Sequence, residues 1–134
     1  MCIRDRVRTA LDRAAAGIQG KFDRQPTVEA SIRRTIGKAY FDLGVYPEAQ
    51  RQWERAVDLR RRVLGPDHPD TLTSMNDLAD AYRVQSAYKQ AEPLFIKVLE
   101  TRRRVLGEEN PATLSSMNEL ANLYLCLLYT SRCV

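Results

Sequence analysis

The only histidine of the chain and the two acidic residues beside it are the first side chains that could do chemistry. His68 lies between Asp67 and Asp70 in the stretch LGPDHPDTL. An imidazole near carboxylates can serve in acid–base catalysis or ligate a metal, but both roles need further partners. His68 instead stands 42 residues before Asn110, and a proline follows each of them. This equivalence favours a turn in which both residues cap a helix.

Two arginine triplets, 60–62 and 102–104, are the next candidates, because basic runs can bind nucleic acid. Successive helical residues point about 100° apart, so each triplet spreads around its helix and forms no single patch. Both triplets also lie just before a glycine, at the end of a predicted helix, where cations are favoured. The formal net charge is only +4. We therefore interpret the triplets as solvated helix surface and expect no nucleic-acid binding.

All three cysteines lie at the ends of the chain, in MCIRDR (residues 1–6) and CLLYTSRCV (residues 126–134). Both segments can be back-translated into one short DNA element read on opposite strands, which resembles the transposon end used to prepare sequencing libraries. We interpret them as translated, non-native library sequence and leave them out of the fold prediction. Residues 7–125 then contain no cysteine, which is compatible with a reducing, cytoplasmic compartment.

Length and composition indicate one soluble globular domain. The chain has 134 residues, of which 44% are hydrophobic and 28% are charged, an ordinary balance for such a domain. No run approaches the roughly 18–20 apolar residues of a membrane helix, so no membrane segment is expected. We find no glycine-rich phosphate loop, nucleophile elbow or metal-spaced cluster. The prediction is therefore that this chain is not an enzyme and takes no cofactor or metal.

An internal repeat of 42 residues organises the middle of the chain. The stretch 45–82 returns at 87–124 with 17 of 38 positions identical. A weaker copy lies upstream, where IGKAYFDLGVYPEA at 36–49 answers LADAYRVQSAYKQA at 78–91. Asp12 lies 42 residues before Glu54 and marks the second helix of a still earlier unit. The predicted array covers residues 7–125 as a partial unit 7–25, repeats of approximately 26–65 and 69–107, and a partial unit 111–125.

Each repeat is predicted to be a pair of helices. Apolar residues recur at the 3–4 spacing of one helical face, as in Met75, Leu78, Ala79 and Tyr82 for the first helix. Gly65 and Gly107 mark the ends of second helices, and Pro47, Lys89 and Pro111 mark starts. No run alternates with period two, so no strands are expected. The fold class is therefore all-α, with antiparallel helix pairs in series.

The same residues resemble the tetratricopeptide repeat (TPR). The pattern of small and large side chains is carried by two stretches, 36–56 and 78–95, with Gly37, Ala49 and Ala79 as small residues and Trp53 and Phe95 as large ones. The 42-residue period and the LGPDHPDTL linker are similar to the kinesin-light-chain type of TPR. The N-terminal part also resembles TPR arrays attached to bacterial Ser/Thr kinases. The resemblance implies an α-solenoid, the TPR superhelix, with a concave groove.

The resemblance also implies a function. It favours a protein–protein interaction scaffold, a TPR segment of a larger protein that binds a peptide or helix of an unidentified partner in the groove. The alternative is a regulatory TPR arm of a multidomain signalling enzyme such as a bacterial Ser/Thr kinase, with nucleic-acid binding as a weaker third. We also expect self-association through the uncapped ends of the array, because end units expose apolar faces.

Helical spacing selects the residues of that groove on the first helix of each pair, on the side away from the apolar stripe. They are Arg34, Lys38, Asn76, Asp80, Arg83, Asn118 and Asn122. Asn76 and Asn118 are equivalent under the 42-residue shift, and asparagine is a poor helix former. Its amide can pair with the backbone of an extended peptide. Two other interpretations stay open, solvated helix surface and hydrogen bonding between adjacent repeats.

Overall fold

The described part of the chain consists of α-helices joined by short turns. The computed structural model describes the backbone of residues 2–132 and the side chains of residues 2–129. Met1, Cys133 and Val134, which belong to the ends that we interpret as library-derived, lie outside the described residues. In chain order the helices are α1 (Ile3–Ile18), α2 (Pro26–Asp42), α3 (Tyr46–Leu64), α4 (Pro69–Val84), α5 (Tyr88–Leu106) and α6 (Pro111–Arg132). Each helix packs on the next, and the all-α prediction is confirmed.

The helix boundaries follow the local signals in the sequence. His68 and Asn110 are the caps of α4 and α6, since His68 Nδ1 accepts the Asp70 N–H at 3.1 Å and Asn110 Oδ1 accepts the Ala112 N–H at 2.9 Å. The capping role predicted for His68 is therefore confirmed. A proline follows each cap at the first helical position, where its missing N–H costs nothing. The helix α5 begins at Tyr88, next to the predicted start.

The core is built from the small and large residues of the repeat pattern. Ala49, Ala79 and Ala91 are fully buried, and the rings of Trp53 and Phe95 are 4% and 1% exposed. The alanines let neighbouring helices approach, and the rings fill the space that remains between the pairs. The structure therefore confirms the packing roles that the pattern predicts.

Gly37 in α2 shows how close this approach is. The Trp53 indole of α3 donates its Nε1–H to the Arg34 carbonyl oxygen at 3.1 Å, and the ring lies against Gly37. A Cβ atom at position 37 would come within 2.6 Å of Trp53 Cδ1, far inside van der Waals contact. Only glycine fits at this crossing.

Helix α1 contacts α2 through residues equivalent to those that join α3 to α4. The Tyr40 hydroxyl of α2 donates to the Asp12 carboxylate of α1, and the Tyr82 hydroxyl of α4 donates to Glu54 Oε1 of α3 at 3.3 Å. Burial, reinforced by the Asp12 carboxylate, raises the pKa of Tyr40 well above its ordinary value. Helix α1 therefore lies against α2 as α3 lies against α4.

The first arginine of each triplet departs from the sequence prediction. Arg60 is only 8% exposed, and it donates to the Asp70 carbonyl, to Ser74 Oγ at 2.8 Å and to Ser31 Oγ. The solvated-surface interpretation is wrong for this residue, because α3 turns it toward α2 and α4, where these three oxygens accept its hydrogen bonds.

Arg102 makes the equivalent bonds one repeat later. It donates to the Ala112 carbonyl at 3.3 Å and to Ser116 Oγ at 2.7 Å. The remaining arginines of both triplets are exposed, as predicted. Arg62 pairs with Asp58 of the same helix, and Arg104 pairs with Asp67. The triplets therefore do spread around their helices and do not form one basic patch.

Candidate functional site

The residues selected from the sequence lie on α2, α4 and α6, the first helix of each pair. We call the surface that these three helices form the A-helix face. A pocket of about 290 Å³ lies where α2 meets α4, and its lining comprises Arg34, Thr35, Lys38, Phe41, Asp42, Trp53, Asp77 and Asp80. A second pocket of about 370 Å³ lies where α4 meets α6, with a lining that includes Asp80, Arg83, Glu119, Asn122 and Leu125. Asp80 borders both pockets, so the two are neighbours.

The structure brings five of the seven selected residues to these pockets. Arg34, Lys38 and Asp80 line the first, and Asp80, Arg83 and Asn122 line the second. Asn76 and Asn118 line neither pocket.

Ion pairs hold most of the charges of the A-helix face. Arg34 Nε lies 2.6 Å from Asp77 Oδ2 and ties α2 to α4. Arg83 pairs with Asp80 at 3.1 Å inside α4. Lys38 pairs with Asp42 at 3.1 Å, but both side chains are largely exposed, so a ligand can displace this contact at little cost. Lys38 is therefore the most available charge of the first pocket.

The two equivalent asparagines have different roles. The Asn76 side chain is half-buried and lies beside the Glu119 carboxylate, where it opposes the rise that burial causes in the pKa of Glu119. Within the described residues, Asn76 Oδ1 and Glu119 Oε2 are buried and have no hydrogen-bond partner. Asn118 is exposed. Asn76 of α4 thus lies beside Glu119 of α6, the first helix of the next repeat, whereas Asn118 is exposed.

Sequence reasoning missed two acidic residues of this surface, Asp77 and Glu119. They are equivalent under the 42-residue shift, and each directly follows a recurring element, in the strings SMND and SMNE. The signal that could have identified them is that an acidic residue follows the repeated asparagine in both copies. Its meaning became visible only with the Arg34–Asp77 contact, which joins residues 43 positions apart.

Three carboxyl groups of the A-helix face, those of Asp77, Asp80 and Glu119, have a raised pKa. Burial is the main cause of the raised pKa of Asp77, Asp80 and Glu119. The charge of Asp77 raises the pKa of Asp80 further, and that of Asp80 does the same for Glu119. Arg34 opposes the rise at Asp77, and Arg83 opposes it at Asp80 and Glu119. The cluster therefore destabilises the folded chain when all three groups are ionised.

We expect this cluster to give a distinct pH dependence of stability. A raised pKa means that the folded chain takes up protons at a higher pH than the unfolded chain does, so stability increases as pH falls through the raised pKa toward the ordinary value of 3.8 for aspartate. The variant Asp80→Asn lacks this titration. Its free energy of unfolding relative to the wild type should be highest at pH 7 and should decline on acidification. Urea denaturation between pH 7 and pH 4 measures this, and a constant difference would contradict it.

The described residues contain neither a cluster of metal-ligating side chains nor a membrane-spanning helix. Over residues 2–132 no three His, Cys, Asp or Glu side chains are grouped so that they could hold a metal ion. The described helices include none that is both long and apolar enough to span a bilayer.

Comparison with known sequences supports the repeat. The sequence profile of the tetratricopeptide repeat matches residues 28–95 and 78–128. The chain is 37% identical over 57 residues to nephrocystin-3 of Xenopus tropicalis, covering 42% of this chain and 4% of that protein. It is 46% identical over 45 residues to a nucleotide-binding leucine-rich repeat (NLR)-like protein of Hyaloscypha variabilis, covering 34% and 4%. The chain thus matches only a small segment of these much longer relatives.

Comparison with solved structures gives the same fold. BtubC (BKLC) of P. vanneervenii superposes with a TM-score of 0.74 at 25% identity, covering 94% of this chain and 48% of that one. The "kinesin light chain nearly identical TPR-like repeats" of Podosopora anserina superpose with a TM-score of 0.76 at 28% identity, covering 88% and 57%. The fold is therefore an α-solenoid of a non-catalytic scaffold type, and the chain belongs to the tetratricopeptide repeat family in its kinesin-light-chain-like form.

Proposed function

We propose that the A-helix face binds a peptide or helix of a protein partner, and that the chain is an interaction segment of a larger protein. The observation that carries this proposal is the pair of pockets that meet at Asp80 and run from α2 across α4 to α6. Two adjoining pockets on successive helices suit a ligand that extends along the array. TPR repeats in general serve protein interaction.

We assign different tasks to the seven residues of this surface. Lys38, Asn118 and Asn122 are exposed and offer a cation and two amides to a ligand. Arg34, Asp80 and Arg83 set the charge of the pockets through their ion pairs. Asn76 lies beside Glu119, where α4 meets α6. A cytoplasmic location suits this role, because the stretch 7–125 contains no cysteine.

Peptides selected by display on the immobilised chain provide the ligand for a test. We expect Lys38→Ala or Asn118→Ala to weaken binding of a selected peptide about 5- to 10-fold, the loss of roughly one hydrogen bond or ion pair. Isothermal titration measures the change. Asn76→Ala should mainly lower the melting temperature, because the Asn76 side chain is half-buried beside Glu119 within the fold.

Lys97→Ala is the matched control, since Lys97 is an exposed lysine on α5, off the A-helix face. Its variant should bind the same peptide within about twofold of the wild type. Loss of binding in Lys97→Ala together with unchanged binding in Lys38→Ala and Asn118→Ala would refute the assignment of the ligand to the A-helix face.

A further inference from the structure

The two pockets of the A-helix face occupy equivalent places in successive repeats. We call the place where α2 meets α4 the first junction and the place where α4 meets α6 the second junction. The 42-residue shift carries Lys38 to Asp80 and Asp77 to Glu119. Lys38 and Asp77 line the pocket of the first junction, and Asp80 and Glu119 line that of the second. The first junction is therefore a reference for the second within the same chain.

The arginine that pairs with the carboxylate of the first junction has no counterpart at the second. At the first junction, Arg34 Nε lies 2.6 Å from Asp77 Oδ2. The same 42-residue shift turns this pair into Asn76 and Glu119 at the second junction. Among the described side chains, Glu119 takes part in no ion pair. The acidic half of the pair is thus retained, and the basic half is replaced by an amide.

Two oxygen atoms at the second junction lack a donor. Asn76 Oδ1 and Glu119 Oε2 are buried and accept no hydrogen bond from the described residues. Buried acceptors are nearly always paired in folded proteins, because an acceptor without a donor costs free energy. Burial and the charge of Asp80 raise the pKa of Glu119, and Arg102 and Arg83 oppose this rise only in part. The second junction is therefore short of one donor, and a charged donor would suit it best.

The other charges of the second pocket do not supply that donor. Asp80 stands where the first junction has the exposed cation Lys38. Arg83 also lines the second pocket, but it pairs with Asp80 at 3.1 Å. The second pocket therefore presents the Glu119 carboxylate without a cation of its own.

We propose that the second junction binds a cationic side chain of the partner peptide, an arginine or lysine that donates to Glu119 as Arg34 donates to Asp77. This inference rests on the proposed function, because it names the chemistry of the ligand at the same surface. The methylene stem of such a side chain can lie against Leu125, which lines this pocket and is 52% exposed.

Two small probes test the inference without a selected peptide. They are N-acetyl-arginine methylamide and its neutral isostere, N-acetyl-citrulline methylamide. We expect the arginine probe to shift the NMR resonances of the Glu119 carboxyl carbon and of nearby α6 backbone amides saturably, with a dissociation constant on the order of 1 mM. At the same ionic strength, the citrulline probe should bind at least about 5-fold more weakly, because it lacks the charge.

Two substitutions should weaken arginine binding about 5-fold or more by different routes. Glu119→Gln removes the carboxylate and keeps the shape of the side chain. Asn76→Arg supplies the missing cation from within the chain, as Arg34 does at the first junction, and should keep or raise the melting temperature. The matched control is Glu100→Gln, at an exposed glutamate of α5 off the A-helix face, which should bind the arginine probe within about twofold of the wild type.

Three results would overturn the inference: no saturable shift with the arginine probe, equal binding of the arginine and citrulline probes, or unchanged arginine binding in Glu119→Gln. If Asn76→Arg loses its helical circular dichroism, Glu119→Gln alone decides. None of these results bears on the proposed function. That function fails separately, when Lys38→Ala and Asn118→Ala leave the binding of a selected peptide unchanged.

Discussion

Replacing Gly37 with alanine is expected to lower the free energy of unfolding by about 1–2 kcal/mol. Alanine normally stabilises a helix relative to glycine by about 0.5–1 kcal/mol. Here the added methyl group would overlap the Trp53 ring, which is 4% exposed and cannot move aside. Overpacking of this kind costs about 1–3 kcal/mol. Because Trp53 is the only tryptophan, its fluorescence during urea unfolding reports both the stability and the local packing.

Gly17→Ala is the matched control for that prediction. Gly17 lies in α1, and no atom stands within 4 Å of the place where its Cβ would be. The same substitution should therefore leave the stability unchanged or raise it by up to about 1 kcal/mol. Equal changes in the free energy of unfolding for Gly17→Ala and Gly37→Ala would show that overlap with Trp53 does not destabilise the position-37 variant.

Replacing Arg60 with alanine is expected to cost about 2 kcal/mol of stability. The change removes three hydrogen bonds, to the Asp70 carbonyl, Ser74 Oγ and Ser31 Oγ. Bonds from a charged donor are worth about 1.5–3 kcal/mol, and buried acceptors left without a donor add a penalty. The buried methylene groups of the arginine contribute through packing as well. Thermal and urea unfolding measure the loss.

Arg61→Ala provides the comparison, because Arg61 is the exposed neighbour in the same triplet. Its loss should change the stability by no more than about 0.5 kcal/mol. Arg102→Ala should fall between the two, since Arg102 makes the equivalent bonds but is less buried. Equal effects of Arg60→Ala and Arg61→Ala would mean that the bonds from Arg60 to α2 and α4 add no net stability.

The helices and their ends could be predicted from sequence because the signals are local. A capping residue before Pro69 or Pro111 accepts a hydrogen bond from the backbone N–H of the residue after the proline. His68 and Asn110 accept these hydrogen bonds as predicted. A second signal is the repeat itself, since 42 residues is long enough for one pair of helices and a turn. Small residues such as Ala49 and Ala79 recur where helices must approach closely. Local chemistry and periodicity together therefore determine the fold class.

The candidate site was predictable only in outline. Helical spacing selects the side of α2, α4 and α6 on which both pockets lie. The same spacing treats Asn76 and Asn118 alike, although one is half-buried beside Glu119 and the other is exposed. The reason is position in the array, because α6 lies beside α4 and covers Asn76. Burial depends on which helix comes next, and a helical period contains no information on that.

By itself the sequence determined that the chain is all-α and that a pair of helices recurs every 42 residues. It also determined which residues cap the helices and where small residues let two helices approach closely. Only the tertiary structure decided which side chains of equal type differ in role. Arg60 and Arg61 are neighbours in one triplet, yet one joins three helices and the other is exposed. Arg34 and Asp77 meet across 43 residues. Such choices follow from the distances between helices once they pack, and those distances arise from every contact of the core together.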